Sequence, residues 1–590
     1  MSGKEDSSMA SSSCILEHHE DSPLLRRHPA APLDTQETLA PSTITTQWLP
    51  TGSESVSVTS GTTRPSEAVA ILRTACPAVL KNLLDFTKNL VLLSYVGEFG
   101  KEMQAAMGLA AMLCNVIGLA IGLGCCEAVY TTASQAFGAS RPREACIALA
   151  RAFLILPPLF LLLSIVILVG GVNLLPLLGA ASPATQLARS FVLMLLPAIL
   201  ARFLYEALDT FYLSKGVVVV QIWVTLASLL TMIIGCVVLK ATGVWDVRAP
   251  TVCYVAASWV MAGIFLVYAS IADGPKMSSL TLSEVCHTQG LREWVRLGLW
   301  GSGLVCLEIW AWQLVIFSVT PLGPVFVSSA SLMLNLYSAL ISIPWGINAA
   351  ICILVGNAIG DCDVRRAKAT VHMGLTIAVV SLFILVLFVA LSAPELTRAL
   401  ASTAEVQRSM LRHLPVLGAA FALDTVYHAL RGAMSGMGQQ RVAALVNLVA
   451  YYPIGIPFGL VMCFGWAGMK LTGLLSGLVL ACLINVLSLA RLLSRIDWDE
   501  QAKQAADRLE LDHQARATGS QGDHPSESPS DTAKLYASMS SSDETHSSLG
   551  EVRAAGAGGV CVGGESCVGE GERAPLPSVI GTWGERGRVQ

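Results

Sequence analysis

The sequence predicts an all-α polytopic membrane protein with twelve transmembrane helices in two pseudo-symmetric six-helix lobes. The first observation behind this is composition: 53% hydrophobic and 14% charged residues over 590 positions, with a mean hydropathy of +0.60, lie far from the balance of a soluble domain. The second is spacing, because twelve apolar runs of roughly 20 residues between Cys76 and Leu493 are each long enough to cross a hydrocarbon core about 30 Å thick as a helix. These runs are continuously apolar, whereas barrel strands would alternate. The third is internal repetition, taken up below.

In chain order, residues 1–66 form a polar Ser, Thr and Pro-rich tail without the apolar core of a signal peptide, expected to be disordered and cytosolic. Within it EDSPLL, with Glu20, Leu24 and Leu25, fits an acidic dileucine pattern of the kind sorting adaptors read; chance occurrence in a tail is the plain alternative. The first lobe is expected at 67–275, a cytosolic linker at 276–297 and the second lobe at 298–495. From 496 to 590 the chain turns polar again, with a charged, helix-prone run to about Ala517 and then Ser, Gly and Glu, so no thirteenth span is expected. Arg141, Arg143 and Arg151 follow the second span, Lys276, Arg292 and Arg296 the sixth, Arg365, Arg366 and Lys368 the eighth, and Arg491 and Arg495 the twelfth. The positive-inside rule makes these loops cytosolic and puts both termini inside; Arg398, Arg408 and Arg412 run against it.

Composition also narrows function. The 16 cysteines lie mostly alone within apolar spans, where they act as small hydrophobes, and none has zinc spacing, so neither a metal nor a cofactor is expected. The net charge of -4 is distributed by loop, with no basic patch for nucleic acid. A membrane-embedded enzyme would need converging polar groups, yet His372, His413 and His428 are scattered along the spans.

The two halves align. QAFG at Gln135–Gly138, with Arg143 and Ala145, corresponds to NAIG at Asn357–Gly360, with Arg365 and Ala367, and Gly124 then falls opposite Gly346. Gly100 and Gly323 close the first and seventh spans, and Asp85 and Glu308 each lie 15 residues before them. Glu206 and Asp424 each lie nine residues after Pro197 and Pro415. Two symmetric pairs of membrane acids result, in a parallel repeat of the kind transporters build around a central site.

Asp85 has Lys88 at i+3 and Glu206 has Arg202 at i−4, spacings that let charges meet on one helix face, whereas Glu308 has no base within that range. A carboxylate held by a fixed cation stays ionised; one among apolar side chains is driven toward neutrality. Structural pairing is therefore expected for Asp85 with Lys88 and for Glu206 with Arg202, and proton exchange for Glu308 and Asp424. A satisfied structural acid is the competing reading for Glu308. Asp209, three residues from Glu206, is expected near the interface. Trp312 shares the Glu308 face and suits a desolvated cation, while Trp310 points away. Gln313, Asn335, Glu127, Tyr427 and His428 are expected to line the cavity, the last two as a hydrogen-bonded relay beside Asp424; helix-to-helix bonding or water at the helix end are the alternatives. Pro344, Pro453 and Pro457 permit bends that an alternating-access cycle could use.

Three stretches, GCCEAVYTTASQAFGA (Gly124–Ala139), IPWGINAAICILVGNAIGD (Ile343–Asp361) and LRGAMSGMGQQRVAALVNLVAYYPIGIPFG (Leu430–Gly459), resemble the multidrug and toxin extrusion (MATE) family over nearly all of Ala68–Leu493. The resemblance implies the MATE/MOP-type fold, two six-helix lobes forming a V, and export of organic cations in exchange for H⁺ or Na⁺. It also implies coupling acids in the seventh, eighth and tenth helices, which Glu308 and Asp424 match. Gln313 and Asn335 stand where further acids are usual, which puts the typical substrate range in question. The expectation is a monomeric H⁺ antiporter for organic cations in the bilayer of the plasma membrane, with a vacuolar or lysosomal membrane second. Na⁺ coupling and a lipid-linked oligosaccharide flippase of related fold are the alternatives.

Overall fold

The computed structural model describes residues 66–171, 173, 182–401, 403–465 and 468–520, and among these it contains helices and no strand. The twelve long segments are α1 (Glu67–Gly97), α2 (Lys101–Gly138), α3 (Pro142–Gly170), α4 (Ser182–Ser214), α5 (Val220–Ala241) and α6 (Ala249–Ser278), then α7 (Thr288–Phe317), α8 (Pro324–Gly360), α9 (Val364–Leu400), α10 (Ala404–Gly436), α11 (Gln440–Phe464) and α12 (Leu471–Arg495). An additional helix, α13 (Trp498–Ser520), follows. The dileucine residues Glu20, Leu24 and Leu25 lie outside the described residues.

Ten of these helices are long and apolar enough to cross a membrane by length and composition. The other two long helices, α1 and α10, take the places of the first and tenth expected spans with 31 and 33 residues, roughly 45–50 Å at 1.5 Å per residue. Both are less apolar and carry ion-pairing side chains: Lys81, Asp85 and Lys88 on α1, and Asp424, His428 and Arg431 on α10.

Glycine sets where the lobes touch. A methyl on Gly124 of α2 would strike the backbone of Ser302 and Gly301 on α7, and one on Gly301 would strike the Gly124 carbonyl. In the symmetric place, Gly346 of α8 lies against Ala75 and Val79 of α1. The two repeat motifs meet each other: a side chain on Gly138 would collide with the Asn357 carbonyl, and one on Gly360 with the Gln135 carbonyl. Small residues are what permit such close helix approach, and reciprocal contacts are what a twofold repeat requires.

Proline and π turns bend the bundle. Pro453 lies in a π-helical turn, Ala450–Gly455, within α11, where its missing N–H is tolerated. Pro344 follows the break at Ile341 that divides α8.

At the end of the bundle bearing the basic loops, α6 leads into a single turn, Leu282–Val285, capped by both reciprocal hydrogen bonds of a Thr281–Glu284 box. Arg143 of α3 donates to Glu284 at 2.9 Å, tying this linker to the first lobe. Burial raises the Glu284 pKa, but the Thr281 backbone N–H and the Arg143 guanidinium outweigh it and hold the carboxyl below its ordinary value. Helix α13 crosses the same end. Leu509 enters the first lobe's core and Ala505 the second's, Gln439 donates to Gln501 at 2.7 Å, and Arg508 donates to the Met437 carbonyl at 3.2 Å.

Candidate functional site

Residues 424, 427, 428 and 431 recur at helical spacing, so α10 turns Asp424, Tyr427, His428 and Arg431 toward one region, and all four are buried. Glu308 of α7 projects into the same region and is 4% exposed. His428 Nε2 lies 3.2 Å from Glu308 Oε1 and 3.5 Å from Asp424 Oδ2, so one ring nitrogen serves both acids. The same nitrogen lies 3.2 Å from Trp345 Nε1 on α8. With a proton on Nε2 the ring donates to the carboxylates; without one it accepts from the indole. Tyr337 of α8 donates to Asp424 Oδ2 at 2.5 Å, and Tyr427 donates to Glu308 Oε2 at 3.4 Å while accepting from Asn447 Nδ2 of α11 at 2.7 Å.

Glu308 is not the base-free acid that its neighbours in sequence suggest. Arg431 Nη1 lies 3.3 Å from Glu308 Oε2, and Arg431 Nη2 lies 2.8 Å from Glu127 Oε1 on α2. The base comes from another helix 123 positions away, beyond the reach of an i±4 search. One guanidinium thus joins an acid of each lobe. Glu127, expected to line the cavity, is half of that bridge.

The remaining expected residues divide. Trp312 is buried and stacks on Tyr337 with ring centroids 4.1 Å apart, so it forms a wall of the site. Trp310 is 36% exposed and donates to the Val116 carbonyl of α2 at 2.9 Å. Gln313 is half-buried and makes no polar contact with Glu308 or Asp424 among the described residues. Asn335 is exposed, while Tyr337 on the same helix is buried. The physical reason is helical phase: Tyr337, two residues on and so about 200° round the helix, takes the inward place.

In the first lobe the ion pairs are redrawn. Asp85 lies 3.0 Å from Lys88 Nζ, but Arg202 turns to Asp85 at 2.7 Å rather than to Glu206. Glu206 instead faces Lys81 Nζ at 4.0 Å, and Lys81 contacts Asp209 at 2.9 Å. Asp209 is buried at 1% exposure, and that lysine from α1 accompanies it inside.

Sequence reasoning did not single out Tyr337, Trp345, Arg431 or Asn447. Trp345, Arg431 and Asn447 lie within the family-like stretches; the spacing of Arg431 from His428 and Asp424, three and seven residues, is the signal available. Donor atoms of Glu308, Asp424 and His428 lie within 4.8 Å of one another, close enough to share an ion, although no such set was legible from spacing.

The MatE family model matches residues 77–238 and 303–461, more than half of the chain. Protein DETOXIFICATION 16 of Arabidopsis thaliana is 26% identical over 440 residues, covering 74% of this chain and 89% of the relative. Multidrug and toxin extrusion protein 2 of Oryctolagus cuniculus is 26% identical over 443 residues, covering 74% and 72%. The crystal structure of the eukaryotic MATE transporter AtDTX14 superposes with a TM-score of 0.69 at 23% identity, over 75% of this chain and 99% of that one, which establishes likeness of fold.

Proposed function

Because this chain belongs to the MatE family of multidrug and toxin efflux transporters, we propose that it is a secondary antiporter exporting organic cations in exchange for H⁺, with Glu308 and Asp424 as the proton carriers. The observation that carries this reading is the sharing of His428 Nε2 between the two carboxylates. A proton arriving on either acid can pass to the ring and on to the other, with no large movement. Tyr337 and Tyr427 fix the acids' orientation by donating to one oxygen of each.

The lobes, 67–275 and 298–495, move as two bodies, and Arg431 couples that motion to protonation. While Glu308 is ionised, the guanidinium holds an acid of each lobe. Protonation of Glu308 removes the anchor within the second lobe and leaves the guanidinium's charge to Glu127, which changes the bond between lobes and gives the proton a differential affinity for the two arrangements. A cationic substrate competes with the same proton for the acids' charge and leaves when they are neutralised. Trp312 and Tyr337 offer aromatic faces to that cation, at about 1–2 kcal/mol for a desolvated contact. We place the protein in the plasma membrane.

Na⁺ is the second reading, favoured by the three donor atoms within 4.8 Å. Against it, one of the donors is an imidazole nitrogen, a poor ligand for a hard cation, and Arg431 stands 3.3 Å from Glu308. The deciding experiment uses proteoliposomes with imposed gradients. Efflux should follow a pH gradient and ignore a Na⁺ gradient, and Glu308→Gln should abolish pH-driven transport in a folded protein. Full transport in that variant would overturn the assignment.

A further inference from the structure

A cavity lies between the lobes, and five acidic or basic side chains line it: Lys81, Glu127, Glu206, Asp209 and Arg431. Two are basic and three acidic, so the wall carries one formal negative charge in excess. Three of the cavity's polar side chains, all at least nine-tenths buried, keep an atom with no hydrogen-bond partner among the described residues: Asp209 Oδ1, Gln221 Oε1 and Arg431 Nε. Half-buried Asn348 adds its Oδ1. Buried polar atoms in folded proteins are nearly always paired, so four around one cavity mark a lining shaped for a polar occupant.

The rest of each side chain is already committed. Asp209 Oδ2 accepts from Lys81 at 2.9 Å, Gln221 Nε2 donates to the Asp209 carbonyl at 3.2 Å, and both terminal nitrogens of Arg431 are spent on Glu308 and Glu127. The enclosed, unpaired atoms on these lining residues are three acceptors and one donor, beside the carboxylate of Glu206. Asp209 and Gln221 are joined to each other on the first lobe's side, and Arg431 and Asn348 belong to neighbouring helices on the other. The complementary ligand donates N–H groups at one end and accepts at the other, and the excess negative charge asks that it be cationic overall.

We propose that this cavity selects hydrogen-bond-donating cations, protonated primary amines or guanidines bearing a neutral acceptor such as an amide or hydroxyl, over fully alkylated ammonium ions. The proposal rests on the reading of the chain as an organic-cation exporter. A quaternary ammonium supplies the charge but no N–H, so Asp209 Oδ1 and Gln221 Oε1 stay unmet and methyl groups crowd them.

The test measures calorimetric binding to the full chain in nanodiscs, using ω-aminoamides of two to six carbons and their N-trimethyl counterparts. In the wild type, the best aminoamide should bind about ten- to a hundredfold tighter than its trimethylated partner. Gln221→Met, checked as folded and monodisperse, should cut that ratio to about threefold or less. Equal binding, a preference for the trimethyl series, no saturable binding by either, as expected of a cavity that holds water only, or an unchanged ratio in folded Gln221→Met would overturn the proposal. Glu308→Gln separates the two readings: retained pH-driven transport in that variant strikes proton exchange and leaves the ratio intact, whereas a ratio near one strikes this proposal alone.

Discussion

The two lobes present acids at matching depths and treat them differently. In the first lobe, Asp85, Glu206 and Asp209 are distributed among Lys81, Lys88 and Arg202. By the repeat's offsets of 223 for α1 and α7 and 218 for α4 and α10, those bases correspond to Leu304, Ala311 and Ala420 in the second lobe. Conversely, His428 and Arg431 correspond to Thr210 and Leu213 in the first. One backbone plan therefore carries a set of fixed charges on one side and, on the other, two acids sharing a histidine and one arginine. The acids alone do not distinguish the lobes; their partners do.

Moving a partner across the repeat should have the largest effect. Leu304→Lys places a cation where the first lobe has Lys81, one turn from Glu308, and should hold that acid ionised and reduce pH-driven transport at least a hundredfold. Size-exclusion chromatography confirms folding, and near-wild-type transport by a folded variant would mean that a second cation beside Arg431 does not hold Glu308 ionised.

Next in size, Lys81→Met leaves Glu206 and Asp209 without their shared base, and removing one partner of a buried pair costs about 3–5 kcal/mol. The expected result is a lower Tm and less folded protein. A selective loss of transport at unchanged Tm would mean that the first lobe also takes part in exchange.

Tyr337→Phe removes a single hydrogen bond to a charged acid, worth about 1.5–3 kcal/mol, and should slow pH-driven transport roughly tenfold or more with Tm nearly unchanged. An equal loss at every pH would leave Tyr337 a packing residue.

The smallest effect lies outside the bilayer, at Glu284. Its carboxyl titrates below its ordinary value in the folded chain, so its contribution is present above the unfolded pKa and is lost as pH falls through the folded one. Thermal stability should therefore drop on acidification below the ordinary glutamate range, and Glu284→Gln should flatten that part of the profile. An unaltered profile would show that the Arg143 pair contributes nothing to folding.

Much of the architecture was legible because hydrophobic length and internal repetition are local properties. Even the close contacts of Gly138 with Asn357 and of Gly360 with Gln135 join motifs that had been aligned from the sequence. Partner choice was less legible. Lys88 at i+3 from Asp85 is a local relation, and the pair is in contact. Arg202 has an equally good local claim on Glu206, but Asp85 on a neighbouring helix lies nearer to its guanidinium. Asn335 illustrates the same limit, since a two-residue change of phase separates an exposed side chain from Tyr337 on the site.

By itself, the sequence determined the membrane class, the twofold plan and the matching positions of the paired acids along equivalent helices, because these depend on composition and on distance along a helix. Only the tertiary structure decided which charge meets which. An ion pair depends on a few ångströms between helices, and residues 123 apart, such as Glu308 and Arg431, acquire that proximity only when the lobes pack.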